Sequence, residues 1–134
     1  MPSLRDYFLR ALPNSIRESF GDLSEGGLIF PAQHPEVGDL EVHFDEEITV
    51  CLGHHTHSHF SPWESESQSA DESVIEAAED ATAFVVSVLS DEWLIWSTPN
   101  GVGGCFTEDA GSIDELPDSA KAFRWSGPIS DDPA

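Results

Sequence analysis

Two short runs of alternating apolar and polar residues constrain the fold of this chain most. Leu40, Val42 and Phe44 alternate with Glu41 and His43, and Ile48, Val50 and Leu52 alternate with Thr49 and Cys51. Successive side chains of a β-strand point to opposite faces, so each run predicts a strand with one buried face. Residues 45–47 form the turn. Pairing Phe44 with Ile48 makes one face wholly apolar and puts Glu41, His43, Thr49 and Cys51 on the other, which predicts an antiparallel hairpin.

Other segments extend this hairpin into a larger fold. Apolar residues at helical spacing predict a helix from Leu4 to about Leu12, with another helical turn after Pro13. A second main helix should begin at a capping box formed by Ser69 and Glu72 and continue to about residue 89. Residues 93–96 are apolar on both faces and predict a strand in the middle of a sheet, with further strands at 105–107 and 123–125.

These elements predict an α+β fold. We expect a single domain over residues 1–134, with a mostly antiparallel sheet of about five or six strands and two main helices packed against it. A chain of 134 residues with 39% hydrophobic content can form one core without disulfides. The acidic end, residues 130–134, is expected to fray.

The two cysteines and the apolar runs bear on where the protein resides. Cys51 and Cys105 match neither a paired metal-binding spacing nor a disulfide-rich scaffold, which favours reduced thiols in the cytoplasm. The N-terminus lacks the apolar core of a signal peptide, and every apolar run is far shorter than a membrane span. We therefore predict a cytoplasmic protein with no membrane partner.

Charge is distributed very unevenly along the sequence. The formal net charge is -21, and the segment from Glu18 to Asp118 contains 23 acidic residues and no lysine or arginine. These carboxylates must be solvated, bound to cations or directed at a partner. Nucleic acid is a poor partner, because five basic residues cannot neutralise a track of phosphates. A basic protein is the partner that this charge predicts, unless the acidity is a general adaptation of the host.

Residues 53–60 contain four of the six histidines and form a candidate metal site. If the alternation continues past Gly53, then His55, His57 and His59 lie on the same face as His43. Alternate residues on a strand are ~6.6 Å apart, so two neighbours can chelate one zinc ion, whereas three in a straight row need a bend or another ligand. Three interpretations stay open: a histidine cluster without a ligand, a regulatory or adventitious metal, and a catalytic metal.

The catalytic interpretation has a partial parallel in known hydrolases. A His-x-His tract followed by an acid is similar to metallo-β-lactamases and to deubiquitinase-like metalloproteases. This chain lacks the Asp-His pair of the first group and the proline of the second. The cluster at residues 54–59 would therefore make a divergent metal-dependent hydrolase at most.

A polar loop next to the histidines supplies a candidate for partner binding. Trp63 is flanked by Pro62 and Glu64, and Glu66 follows. An exposed tryptophan among carboxylates is typical of an anchor residue in an interface. We therefore predict that Trp63, Glu64 and Glu66 contact a partner.

The segments 48–53, 56–60 and 93–96, with the pair Gly103-Gly104, resemble small acidic bacterial proteins of uncharacterised function. Some of these are encoded beside polymorphic toxins as immunity proteins. The resemblance covers roughly the middle two thirds of the chain and implies a non-enzymatic module that masks a basic partner. It implies no cofactor and no catalytic residue, and a histidine-rich zinc-binding protein is the alternative.

Overall fold

A computed structural model describes residues 3–17, 20–23, 26–53, 55–62, 70–107, 109, 111 and 115–129. The helices in these ranges are α1 (Leu4–Ala11), α2 (Asn14–Arg17) and α3 (Ala70–Leu89). The strands are β1 (Gly21–Asp22), β2 (Leu28–Phe30), β3 (Leu40–Phe44), β4 (Ile48–Leu52), β5 (Thr56–Phe60), β6 (Trp93–Ser97), β7 (Gly103–Thr107), β8 (Lys121–Arg124) and β9 (Gly127–Pro128). The chain is α+β, as predicted, and the described strands pair antiparallel. The predicted acidic tail, residues 130–134, lies outside the described residues.

Helix α1 begins and ends where local chemistry requires. The Ser3 hydroxyl accepts from the backbone N–H of Asp6, and the Asp6 carboxylate accepts from the backbone N–H of Ser3, which forms a capping box. The helix buries Leu4 and Phe8 and stops at Leu12, because the following proline disfavours helical backbone before it. The predicted helix to about Leu12, with a further turn after Pro13, is confirmed.

Strands β1 to β5 form the first sheet in sequential order. The predicted hairpin is confirmed in register, since Phe44 pairs with Ile48 and Leu40 pairs with Leu52. The inward face of β3 and β4 is buried. It packs against α1 and α3. The small residues Ala77, Ala78 and Ala81 of α3 are also buried. The predicted capping residue Ser69 lies outside the described residues.

The remaining strands form a second sheet in the order β7-β6-β8-β9. Strand β6 lies between β7 and β8, and its consecutive residues Leu94 and Ile95 are both buried, so the predicted mid-sheet strand is confirmed. Ile95 and Phe123 belong to the same core cluster as the first sheet and helices. None of the helices in the described part of the chain is long and apolar enough to cross a bilayer.

The strands are divided between two sheets, a feature that the sequence pattern did not predict. Within the described residues β5 pairs only with β4, and β7 pairs only with β6. Strand β5 is the last strand of the first sheet. The 20-residue helix α3 follows it in the sequence, and β6 then begins the second sheet. The outer strands β5 and β7 therefore lie near each other as the edges of separate sheets.

Candidate functional site

The outer face of the first sheet carries the histidines that the sequence singled out. Thr49 of β4 lies opposite His43 of β3 on one side and His59 of β5 on the other. In the adjacent row, Cys51 lies between Glu41 and His57, in the same order of strands. We call these six residues the histidine face. The prediction that His43, His57 and His59 share one face is confirmed.

His55 does not belong to the histidine face, and its predicted position there is wrong. Gly53 has a φ of 57°, a left-handed conformation that interrupts the alternation, and His55 lies in the turn before β5. Its Nδ1 is 2.6 Å from the Ser97 hydroxyl, and its Nε2 is 2.9 Å from the carbonyl oxygen of Glu36. The imidazole also lies 4.5 Å from the ring of Phe123, measured between centroids. His55 therefore links the two sheets, with both ring nitrogens engaged.

His59 is held by polar neighbours on one side of its ring. Its Nδ1 lies 2.9 Å from a carboxylate oxygen of Glu47 and 3.2 Å from the Thr49 hydroxyl. The other oxygen of Glu47 accepts a short hydrogen bond from the hydroxyl of Ser61, which is buried. This chain of contacts orients the imidazole and directs Nε2 away from the carboxylate.

The ring of His57 lies next to that of His59. Their centroids are 4.9 Å apart and the ring planes are nearly perpendicular, at 87°. His43 has a different partner, because its Nε2 lies 3.2 Å from a carboxylate oxygen of Glu41. The histidine face thus contains one adjacent pair, His57 and His59, and one separate histidine on β3.

The structure does not assemble His43, His55, His57 and His59 into one ligand set. Among the described residues, no group of three or more histidine, cysteine, aspartate or glutamate side chains is arranged to hold a metal ion. The strand spacing explains part of this, since β3 and β5 are two strands apart, or about 10 Å.

Neither cysteine has the electrostatics of a nucleophile. Burial raises the pKa of the Cys51 thiol, and the nearby Glu41 carboxylate raises it further. Burial also raises the pKa of Cys105, although a hydrogen bond from Ser58 opposes that shift. Both thiols are therefore protonated at neutral pH, whereas thiol chemistry requires the thiolate. Both are free cysteines.

The predicted partner-binding residues Trp63, Glu64 and Glu66 lie outside the described residues. The structure instead shows a cavity that sequence reasoning missed. It borders β5, α3, β6 and β7 and includes Asp80, Phe84 and Trp93. A weak signal was available in α3, where Asp80, Ala83, Phe84 and Ser87 recur at the spacing of one helical face.

Comparisons with protein-family models, curated proteins and solved structures gave no match.

Proposed function

We propose that this protein is a non-enzymatic binding module that covers a basic surface of a partner protein, in the manner of an immunity protein. The observation that carries the proposal is the concentration of acidic residues along α3. Glu72, Glu76, Glu79 and Asp80 are all exposed and fall within about two helical turns. No side-chain hydrogen bond or ion pair joins Glu79 or Asp80 to another described residue.

The spacing between charges distinguishes the α3 cluster from a uniformly acidic surface. The chain exposes 7866 Å², so 21 net charges spread evenly would lie ~19 Å apart, well beyond the ~8 Å screening length at physiological salt. Residues one helical turn apart have Cβ atoms only about 5 to 6 Å apart. Carboxylates at this spacing on α3 therefore lie within the screening length of one another, and a cationic surface would complement them.

This surface chemistry also selects the class of partner. Matching potentials accelerate association and reject partners of the same sign. Phosphates would be repelled, so nucleic acid is unsuitable. Two free thiols agree with function in a reducing compartment such as the cytoplasm.

The test is the association kinetics of the partner. The product of an adjacent gene, or a protein captured from the native host at low salt, should be basic. Its association rate should fall at least about tenfold between 20 and 300 mM salt. Acidic or neutral partners whose binding is insensitive to salt would contradict the proposal.

A matched pair of variants separates the α3 surface from the net charge. The triple variant Glu72→Gln, Glu76→Gln, Glu79→Gln removes three charges from α3, and glutamine retains the capping ability of glutamate. The control Asp45→Asn, Glu46→Gln, Asp109→Asn removes three charges from exposed positions elsewhere. Only the α3 variant should slow association by about tenfold, whereas equal slowing would show that net charge alone acts.

A second candidate function is binding of a divalent metal such as zinc by His57 and His59. The favouring observation is the contact between Glu47 and Nδ1 of His59, since metal-bound histidines usually donate their second N–H to a carboxylate. That contact leaves Nε2 of His59 available beside His57. Neutral imidazole is the ligating form, so affinity should fall as pH drops through about 6.5.

Calorimetric titration of zinc at pH 7.5 tests this candidate. The double variant His57→Ala, His59→Ala should lose binding, and Glu47→Gln should weaken it about tenfold. His43→Ala is the matched control, because His43 lies on the same face but two strands away. Absence of binding, or equal binding by all four proteins, would exclude the site.

A further inference from the structure

The edges of the two sheets meet at one end of β5. A Cβ atom on Gly103 would overlap the carbonyl oxygen of His55, so the backbones of β7 and the turn before β5 are in direct contact there. Further along, the Ser58 side chain lies close enough to Cys105 to offset part of the effect of burial on the pKa of that thiol. Even so, no backbone hydrogen bond between β5 and β7 is formed within these described strands.

Beyond Ser58 the space beside β5 is a cavity of about 590 Å³. Ser58, His59 and Phe60 all line it, although successive side chains of a strand point to opposite faces. Three consecutive residues can border one cavity only along the edge of their strand. The cavity is therefore a cleft beside the edge of β5 with which no other described strand pairs, and we call it the edge cleft.

Aromatic side chains form the apolar part of the edge cleft. Phe84 lies 5.6 Å from Phe60 and 4.9 Å from Trp93, measured between ring centroids. Phe84 is buried, whereas Phe60 and Trp93 are partly exposed. The exposed residues Asp80 and Ala83 of α3 also line the cleft, so a carboxylate lies at the border of this aromatic surface.

We infer that the edge cleft receives an extended, arginine-containing segment of the basic partner, which adds a strand beside β5. This inference rests on the proposed function and names the place of contact. An edge strand supplies backbone hydrogen bonds to an added strand, and pockets for alternate side chains give specificity. An arginine is suited to both walls, because its guanidinium can stack on Trp93 and pair with Asp80.

Charge argues against a second copy of this chain as the occupant of the cleft. A second copy of this chain would bring another net charge of -21 against Asp80 and its neighbours on α3. A cationic segment is the occupant that complements both the carboxylate and the aromatic surface.

The probe is a fluorescent ten-residue peptide of alternating arginine and valine, titrated against the full chain by anisotropy at 50 mM salt. Asp80→Asn should weaken binding about tenfold, as expected for loss of a charge-assisted contact. Asp45→Asn is the matched control, because Asp45 is an exposed aspartate of the same charge that lies outside α3 and does not line the cleft. It should change the affinity less than about twofold.

Two further measurements test strand addition. Ala83→Phe places a ring in the cleft from an exposed helix position and should weaken binding about tenfold without unfolding the protein. Peptides N-methylated at alternate residues keep their charge but lose backbone donors on one edge. One methylation register should bind and the other should not.

Each alternative result has a definite meaning. Equal weakening by Asp80→Asn and Asp45→Asn, with both methylated peptides binding like the parent, would overturn the edge cleft and leave the basic-partner function in place. If the unmodified peptide and a basic partner protein both fail to bind at low salt, the proposed function fails as well.

Discussion

The contact between Gly103 and the turn before β5 yields the most direct test of how the two sheets meet. An alanine Cβ at position 103 would overlap the carbonyl oxygen of His55 and come within 2.9 Å of the carbonyl oxygen of Trp96. Both obstacles are backbone atoms, so neither can rotate away as a flexible side chain would. Overpacking of a rigid site costs about 1 to 3 kcal/mol, and two fixed carbonyls place Gly103→Ala near the upper value. For a chain of this length, about 3 kcal/mol corresponds to a fall in Tm of roughly 12 °C.

Thermal and urea unfolding followed by circular dichroism measure this effect. Gly21→Ala is the matched control, since the nearest atom to its added Cβ is a methyl carbon of Ile29 at 3.6 Å and the position is exposed. Neither glycine has a positive φ, so alanine is compatible with the backbone at both positions. The control should be neutral. If Gly103→Ala is as stable as the control, the close approach of β7 to His55 is refuted, and with it the contact between the two sheets at this end of β5.

Three further outcomes follow from the charge, the thiols and the helix cap. Added salt should raise Tm by screening repulsion among carboxylates, and a Tm that is constant from low to molar salt would show that they are already neutralised. The pKa values of Cys51 and Cys105 are raised, so iodoacetamide should alkylate these thiols more slowly than it alkylates glutathione at pH 8. The reaction should accelerate only above about pH 9, and rapid alkylation at pH 7 would contradict this prediction. Hydrogen bonds from Ser3 lower the pKa of Asp6, so the stability from this cap is complete above the unfolded pKa of 3.8 and is lost as pH falls through the lower folded value. Ser3→Ala should raise the Asp6 pKa measured by NMR and destabilise the protein by about 1 kcal/mol.

The hairpin and its outer face could be predicted from sequence because local alternation determines them. A slip of one residue would expose the apolar side of β3 and β4, so the register is strongly specified. The same parity correctly placed His57 and His59 beyond the turn. It failed at His55 because Gly53 adopts a left-handed conformation, which no hydrophobic pattern encodes.

The edge cleft and the division into two sheets depend on contacts between distant segments. The cleft combines residues from β5, α3, β6 and β7. The local sequence pattern accounts for each of these residues as part of its own helix or strand, without reference to a cleft. Trp93 and Phe84 match the pattern of core residues, and the partial exposure of Trp93 depends on how the two sheets approach. A single sequence carries no signal for that approach, since β5 and β7 are not paired through backbone hydrogen bonds.

Strand β5 combines features that would be hazardous in a neutral protein. An unpaired edge beside an aromatic cleft is a template for pairing with another copy, and proteins usually protect such edges with charge, bulges or covering segments. Here the charges lie beside the edge, on α3, and the whole chain repels its copies. Under the proposed function, the same field would attract a cationic strand, so one arrangement would both oppose self-association and favour a basic partner.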